Sequence, residues 1–493
     1  MDQKTKQFSS EFKMKLWFLG VFAIFGHFDR VVIAKKNQVE SVYYWKKVIF
    51  DDLPFDDDTY IGKYPYHIPH NNDIIGLEHH AQSGLMFAAI VRLRPGIPST
   101  LNAFCVSDYP QGSSPHLWGF PNYDQNTIKA SFYGEADDDS RRTGVKETKY
   151  SAGYYNHFFR SFRRGSHHSD YRKPVFQYYN PKEDFSIVSA HHSAVDNQCN
   201  RLFTLDSGAL RYSEDEFYRV QNPALIVFHL PSNGCTTRQF PVVRRVEIPE
   251  YLWSNSIGYN VMTVDHQPKG SCDDIFVYFC NAFDNRVLVY DFKKDNFWNI
   301  EHSLSMTPVM SESYMIFRGD YKYQLPLGIT SIGLGWPDKQ GNRLAYYSSG
   351  SSLAQYVVST KYFKNPKKYS YKYNSEEPSL LGYRGCGSQA YRQFFDHLTG
   401  VVFFAEMQSH RLSCWNPQKP LNPDTVGVIY ESKELDFISG LFVDSNGYLW
   451  FHSSQVPIDY LTNIPLDLSE VNSQVFRIDV YEAIKGTVCE PYY

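Results

Sequence analysis

Short apolar runs bounded by turn residues recur along the whole chain, and stretches with a 3.6-residue period are few, so the molecule has to be built mainly from strands. The runs include 84–93 (GLMFAAIVRL), 200–206 (NRLFTLD), 224–230 (ALIVFHL), 275–280, 285–291 (NRVLVYD), 342–348 (NRLAYYS), 400–406 (GVVFFAE), 447–453 (GYLWFHS) and 475–480. Three open with Asn-Arg and others with Gly after a polar turn, such as Asp444-Ser445-Asn446-Gly447, which predicts one strand type used repeatedly. An aromatic content of 17%, with 38 Tyr and 36 Phe, favours strands in the same way, and an apolar fraction of 42% can supply a large core. Counting the runs that start at 84, 200, 285, 342, 400 and 447 as one per unit gives six units, most of them compatible with blades of about 40 to 50 residues. Five or seven units fit that spacing too, and a series of two-sheet sandwiches is the structural competitor.

The expected fold class is therefore all-β, a β-propeller, in which each four-stranded sheet covers its neighbours and ring closure leaves no exposed end unit. Function in such a ring belongs at the mouth of the central channel, where loops converge. Lys13 and Lys15 followed by the apolar run 16–26 (LWFLGVFAIFG) predict a secretory leader within residues 1–34, too short to span a bilayer, with one propeller domain over 35–493. A secreted, extracellular product without a membrane anchor follows. A net charge of −4 argues against nucleic acid as a partner. The eight cysteines, Cys105, Cys199, Cys235, Cys272, Cys280, Cys386, Cys414 and Cys489, contain no CxxC pair, so disulfides rather than a metal site are expected, with connectivity open. A polar insertion near 137–180 breaks the strand pattern: Asp137-Asp138-Asp139 leads into a basic segment interleaved with Tyr and Phe. It reads as a solvated loop, or as a surface for an acidic or matrix partner.

Ordered landmarks from about Tyr43 to Cys489 resemble the insect yellow and major royal jelly proteins. They are Tyr44-Trp45-Lys46 with Phe50, the turn 94–101 (RPGIPSTL), 199–208 (CNRLFTLDSG), 272–278 (CDDIFVY) with 289–291, 356–360 (YVVST), Arg384-Gly385 with Gln389, Cys414-Trp415-Asn416 and 486–489 (GTVC). The resemblance implies a six-bladed propeller that is secreted and connected with cuticle pigmentation, melanin chemistry or eggshell and reproductive biology. Some members bind biogenic amines at the channel mouth and some convert dopachrome. The chain departs from the family pattern where Val220-Gln221-Asn222 stands in place of a cysteine that would partner Cys199. Cys235 is then expected to take that role. Leu327-Gly328 replaces an Asp-Gly and removes a carboxylate from a region near the channel.

No HExxH, GxSxG, P-loop or dinucleotide motif is present, and neither cofactor nor metal is expected. The adjacent pairs His79-His80, His167-His168 and His191-His192 would point to opposite faces of a strand, so one pair cannot chelate one ion. Asp206, before Ser207-Gly208, is expected to cap a turn through backbone N–H groups. A pocket for an aromatic amine needs aromatic walls, a hydrogen-bonding rim and an anion for the ammonium. Ser388, Gln389, Phe403, Phe404 and Glu406 offer those types, with Glu406 as counter-ion, although Phe403 and Phe404 also fit a strand core. The expected function is a non-enzymatic binding or structural protein, with a dopachrome-converting isomerase as the alternative; no catalytic residue is assigned.

Overall fold

The computed structural model describes residues 38–127 and 185–491, apart from 57–58, 62–63, 214–215, 255–258, 318–320, 367–376, 456 and 458–463, together with the strand Lys149–Ser151. The expected leader, the pair His167-His168 and the rest of the polar insertion lie outside the described residues. Six four-stranded antiparallel sheets follow one another along the chain. The first blade comprises Gly76–His80, Leu85–Ala89, Leu101–Cys105 and Trp118–Gly119, and the second Ala190–Asp196, Arg201–Asp206, Ala224–His229 and Val242–Glu247. The third is formed by Tyr259–His266, Ile275–Asn281, Arg286–Asp291 and Asn296–Glu301, and the fourth by Ile329–Pro337, Arg343–Ser349, Ala354–Ser359 and Ser379–Tyr383. Ala390–Phe395, Val402–Glu406, Arg411–Trp415 and Val426–Glu431 make the fifth. The sixth joins Ile438–Val443, Tyr448–Ser453 and Ser473–Asp479 to Glu40–Trp45, the earliest described strand, as its outer edge.

The innermost strand of each blade packs on that of the next, and Ile438–Val443 returns to Gly76–His80, so the ring is closed. Closure is non-covalent: Glu40–Trp45 pairs antiparallel with Ser473–Asp479, and the Trp45 indole donates to Pro115 O at 2.7 Å in the neighbouring first blade. Six apolar clusters fill the six clefts between blades, which is the propeller arrangement and not a series of sandwiches. Adjacent residues serve different clefts. Phe403 packs between blades five and six and Phe404 between blades four and five, as the two-residue strand period requires.

The recurring runs are not all one strand type. Five of them occupy the second strand of their blade, but Arg286–Asp291 is the third strand of its own, where Ile275–Asn281 is second. The reason lies in the opening residues. Asn200 and Asn285 both adopt left-handed backbone, φ 51° and 57°, so Asn-Arg marks a tight turn entering any buried strand and carries no rank within the blade.

Three disulfides tie the ring. Cys105–Cys235 joins blades one and two, Cys199–Cys272 joins blades two and three, and Cys414–Cys489 pins the C-terminal segment to blade five, with Cα separations of 5.7, 5.8 and 6.0 Å. Two expectations are thereby corrected. Cys235 partners Cys105 rather than Cys199, because ring order brings the 272 loop of the following blade against the 199 turn; Arg201 reinforces that junction by donating to Cys272 O at 2.7 Å. Cys280 and Cys386 are free thiols, the first enclosed in a central strand of blade three and the second on an exposed loop.

Candidate functional site

A seventh apolar cluster lies on none of the clefts. Ile75, Ala209, Ala282, Tyr391, Met407 and Phe437 sit where chain enters or leaves blades one, two, three, five and six at one end of the ring, and Met315, Tyr323, Leu325 and Leu327 join them from the connection between blades three and four. Residues from all around the ring meet in one cluster only about its axis, so this is the channel mouth. The hairpin Tyr314–Phe317/Tyr321–Gln324 reaches it with Met315 opposite Tyr323, and the Tyr391 ring packs 4.9 Å from Phe437. Burial pushes the Tyr323 hydroxyl well above its ordinary pKa, so it is a neutral phenol there.

Beneath the mouth the channel is crossed by polar side chains. Arg392 of blade five approaches Glu78 of blade one, Nη2 to Oε1 4.0 Å, and His192 of blade two, Nη2 to Nδ1 3.5 Å. Blades five and one are not neighbours, so these contacts span the axis. Arg392 Nε donates to Ser439 O at 3.0 Å, which anchors the guanidinium to blade six. Gly76 makes room for His192: a Cβ at that position would fall 2.4 Å from His192 Nδ1.

Burial sets the charge of this floor. Glu78 retains only 15% side-chain exposure, and desolvation raises its carboxyl to about 8 even though Arg392 opposes the shift. Desolvation lowers His191 and His452 to about 3 and His192 well below 6.5, and it raises the Cys280 thiol. His452 is fixed between Ser439 Oγ at 3.0 Å and Ser473 Oγ at 2.6 Å.

The residues expected from the sequence lie close by but are differently engaged. Ser388 and Gln389 immediately precede the first strand of blade five, and Glu406 pairs with Ala390, so these three share the mouth end of the blade. The Ser388 hydroxyl donates to Gly385 O at 2.6 Å, and its carbonyl accepts from the buried Arg384. Gln389 Nε2 donates to Glu312 O at 2.8 Å, while its Oε1 has no partner among the described residues. Both Glu406 oxygens are taken, by Arg411 and Ser413, and an ammonium would have to displace one of them. Phe403 and Phe404 are fully buried in their clefts.

Other expectations have clear outcomes. His79 turns to Asp444 at 3.0 Å in blade six while His80 turns to Asn200 at 3.1 Å in blade two, on opposite faces as adjacent strand residues must be. Asp206 accepts from the backbone of Gly208, and also from Val188 and Ser189. Asp196, Cys199 and His266 come close enough to suggest a metal site, but the Cys199 sulfur is bonded to Cys272 and is no thiolate. Glu78 and Arg392 were missed, and His192 was weighed only as half of a chelating pair. The only trace of them in the sequence is an ionisable residue inside an otherwise buried innermost strand, as in 76–80 (GLEHH) and 390–395 (AYRQFF).

A closed six-bladed ring with an aromatic cluster over polar side chains at one end of its axis defines a β-propeller with its candidate site on that axis. Residues 188–489 match the family described as Major royal jelly protein. The yellow-related salivary protein ASP2 of Phlebotomus orientalis is 31% identical over 454 residues, 92% of this chain and 94% of that protein. ASP4 of the same species is 38% identical over 307 residues, covering 62% and 74%, and the L-dopachrome tautomerase yellow-f of Drosophila melanogaster is 27% identical over 424 residues, covering 86% and 83%. This chain belongs to the yellow and major royal jelly protein family. Among its described residues no helix is long and apolar enough to cross a membrane.

Proposed function

We propose that this chain is a secreted binding protein of the yellow family whose channel mouth holds a small aromatic molecule of the biogenic-amine type, serving pigmentation, melanin or reproductive biology without turnover. The observation that carries the reading is the mouth itself, where Tyr391, Phe437, Met407 and Met315 gather on the axis above Arg392, Glu78 and His192. Aromatic walls hold a ring by area and by its quadrupole. Gln389 Oε1, an acceptor with no partner among the described residues, is the mouth group suited to an amine. The three disulfides fit an oxidising compartment and support export. Calorimetric titration with dopamine, serotonin and histamine tests the reading, alongside loss of dopachrome absorbance against a boiled control. Saturable binding without turnover is expected.

The isomerase reading is favoured by two observations, the dopachrome tautomerase among the relatives and the pairing of a neutral carboxyl, Glu78, with a neutral imidazole, His192, on one guanidinium. An isomerase moves a proton from ring carbon to quinone oxygen and needs one donor and one acceptor. Turnover that the Glu78→Gln variant abolishes would establish this reading in place of the first.

A further inference from the structure

The channel floor is specific for charge. Of the titratable groups near Arg392 among the described residues, Glu78, His192, His452 and Cys280 are all held in their neutral forms near pH 7. Arg392 stays protonated, although burial lowers its pKa. The floor therefore carries about one net positive charge. A guanidinium presents five N–H donors in a planar fork suited to two oxygens at once. Among the described residues only Nε makes a short hydrogen bond, to Ser439 O at 3.0 Å; the neighbours of Nη2 stand off at 3.5 and 4.0 Å. An almost fully buried cation without an ionised partner costs free energy unless an anion joins it.

We propose that Arg392 receives a carboxylate, so that the ligand of the channel is an aromatic amino acid and not an amine alone. The geometry supports this beyond charge. Arg392 directly follows Tyr391, whose ring packs on Phe437 and lies 6.3 Å from His192. A register shift between Ala390 and Arg392 breaks the strict alternation here, and both side chains converge on His192, the guanidinium Nη2 at 3.5 Å, so a ring held at Tyr391 and Phe437 has its substituent within reach of the guanidinium. This inference rests on the binding reading above and adds the group that the floor selects.

The test is a set of matched ligands that differ only in the carboxylate, L-tyrosine against tyramine and L-DOPA against dopamine, titrated into the full-length protein at pH 6.5. The acid of each pair is expected to bind at least tenfold more tightly, Arg392→Met to erase that preference, and Arg392→Lys to keep part of it, with melting temperature read for each variant. Amines that bind as well as or better than the acids would overturn the inference and leave the binding reading standing. Binding of neither kind would remove both. Should Arg392→Met fail to fold, the wild-type pairs decide the matter, and Glu78→Gln supplies a second measurement. Wild-type preference for the acid should fall above pH ~8 as Glu78 ionises and neutralises the floor, whereas Glu78→Gln should hold it constant. Preference that falls equally in both would refute the charge argument.

Discussion

Replacing Glu78 with glutamine should make the protein more stable at neutral and alkaline pH, by an amount that grows with pH. The folded protein keeps the Glu78 proton to about pH 8, whereas the unfolded chain releases it near 4.5. Between those values the folded state binds more protons, so stability falls as pH rises; this contribution is fully present below about 4.5 and is lost by about 8. A difference of about 3.5 pH units at 1.36 kcal/mol each is worth about 5 kcal/mol. Glutamine is neutral throughout, and all other titrating groups cancel in the comparison. Urea denaturation of wild type and Glu78→Gln at pH 5, 6, 7 and 8 should thus show a gap that moves about 3.5 kcal/mol in the variant's favour across the series, the part of the total that falls between those two pH values. For a chain of 493 residues this corresponds to a melting shift of about 3 °C, since the unfolding entropy is about 2.1 cal/mol/K per residue. In an Arg392→Met background, where the cation that opposes the shift is gone, the window should extend to higher pH. Parallel pH profiles for wild type and Glu78→Gln would show that the carboxyl is hydrated, and the account of a buried neutral floor would be wrong.

The ring closure can be probed at Trp45, which is buried between the last and first blades and donates to Pro115 O: Trp45→Ala should cost about 3–5 kcal/mol in chemical denaturation. Cys199→Ser combined with Cys272→Ser opens a loop across 73 residues and should cost about 4 kcal/mol by chain entropy, read as a lower urea midpoint. Iodoacetamide should label Cys386 in the native protein and Cys280 only after unfolding, which peptide mass spectrometry will report; early labelling of Cys280 would mean that the packing between blades three and four opens. Gly76→Ala should push His192 from its seat, seen as changed histidine resonances in NMR spectra.

The strands were legible because their signal is local. Runs such as 224–230 and 400–406 carry their own β-propensity, and their turns need Asn or Gly in left-handed backbone, as at Asn200, Asn285, Gly400 and Gly447. The rank of a strand within its blade was not legible, since Arg286–Asp291 shares the Asn-Arg opening but lies third. The candidate site was readable only in part. Ser388, Gln389 and Glu406 do gather at the mouth end of blade five, yet the partners that occupy Ser388 and Glu406, and the neighbours that bury Phe403 and Phe404, come from side chains whose placement no strand pattern records.

By itself the sequence determined an all-β chain, its kinship with the yellow proteins through ordered motifs, and a cysteine complement suited to disulfides. Which cysteines join was decided by the ring, because a sulfur bonds to whatever loop the next blade sets beside it. The tertiary structure alone decided the chemistry of the axis. Glu78, His192 and Arg392 are scattered over most of the chain and meet because closure turns three innermost strands toward one line. Their protonation states follow from the loss of water on that line, a property of the enclosed space and not of any residue read in isolation.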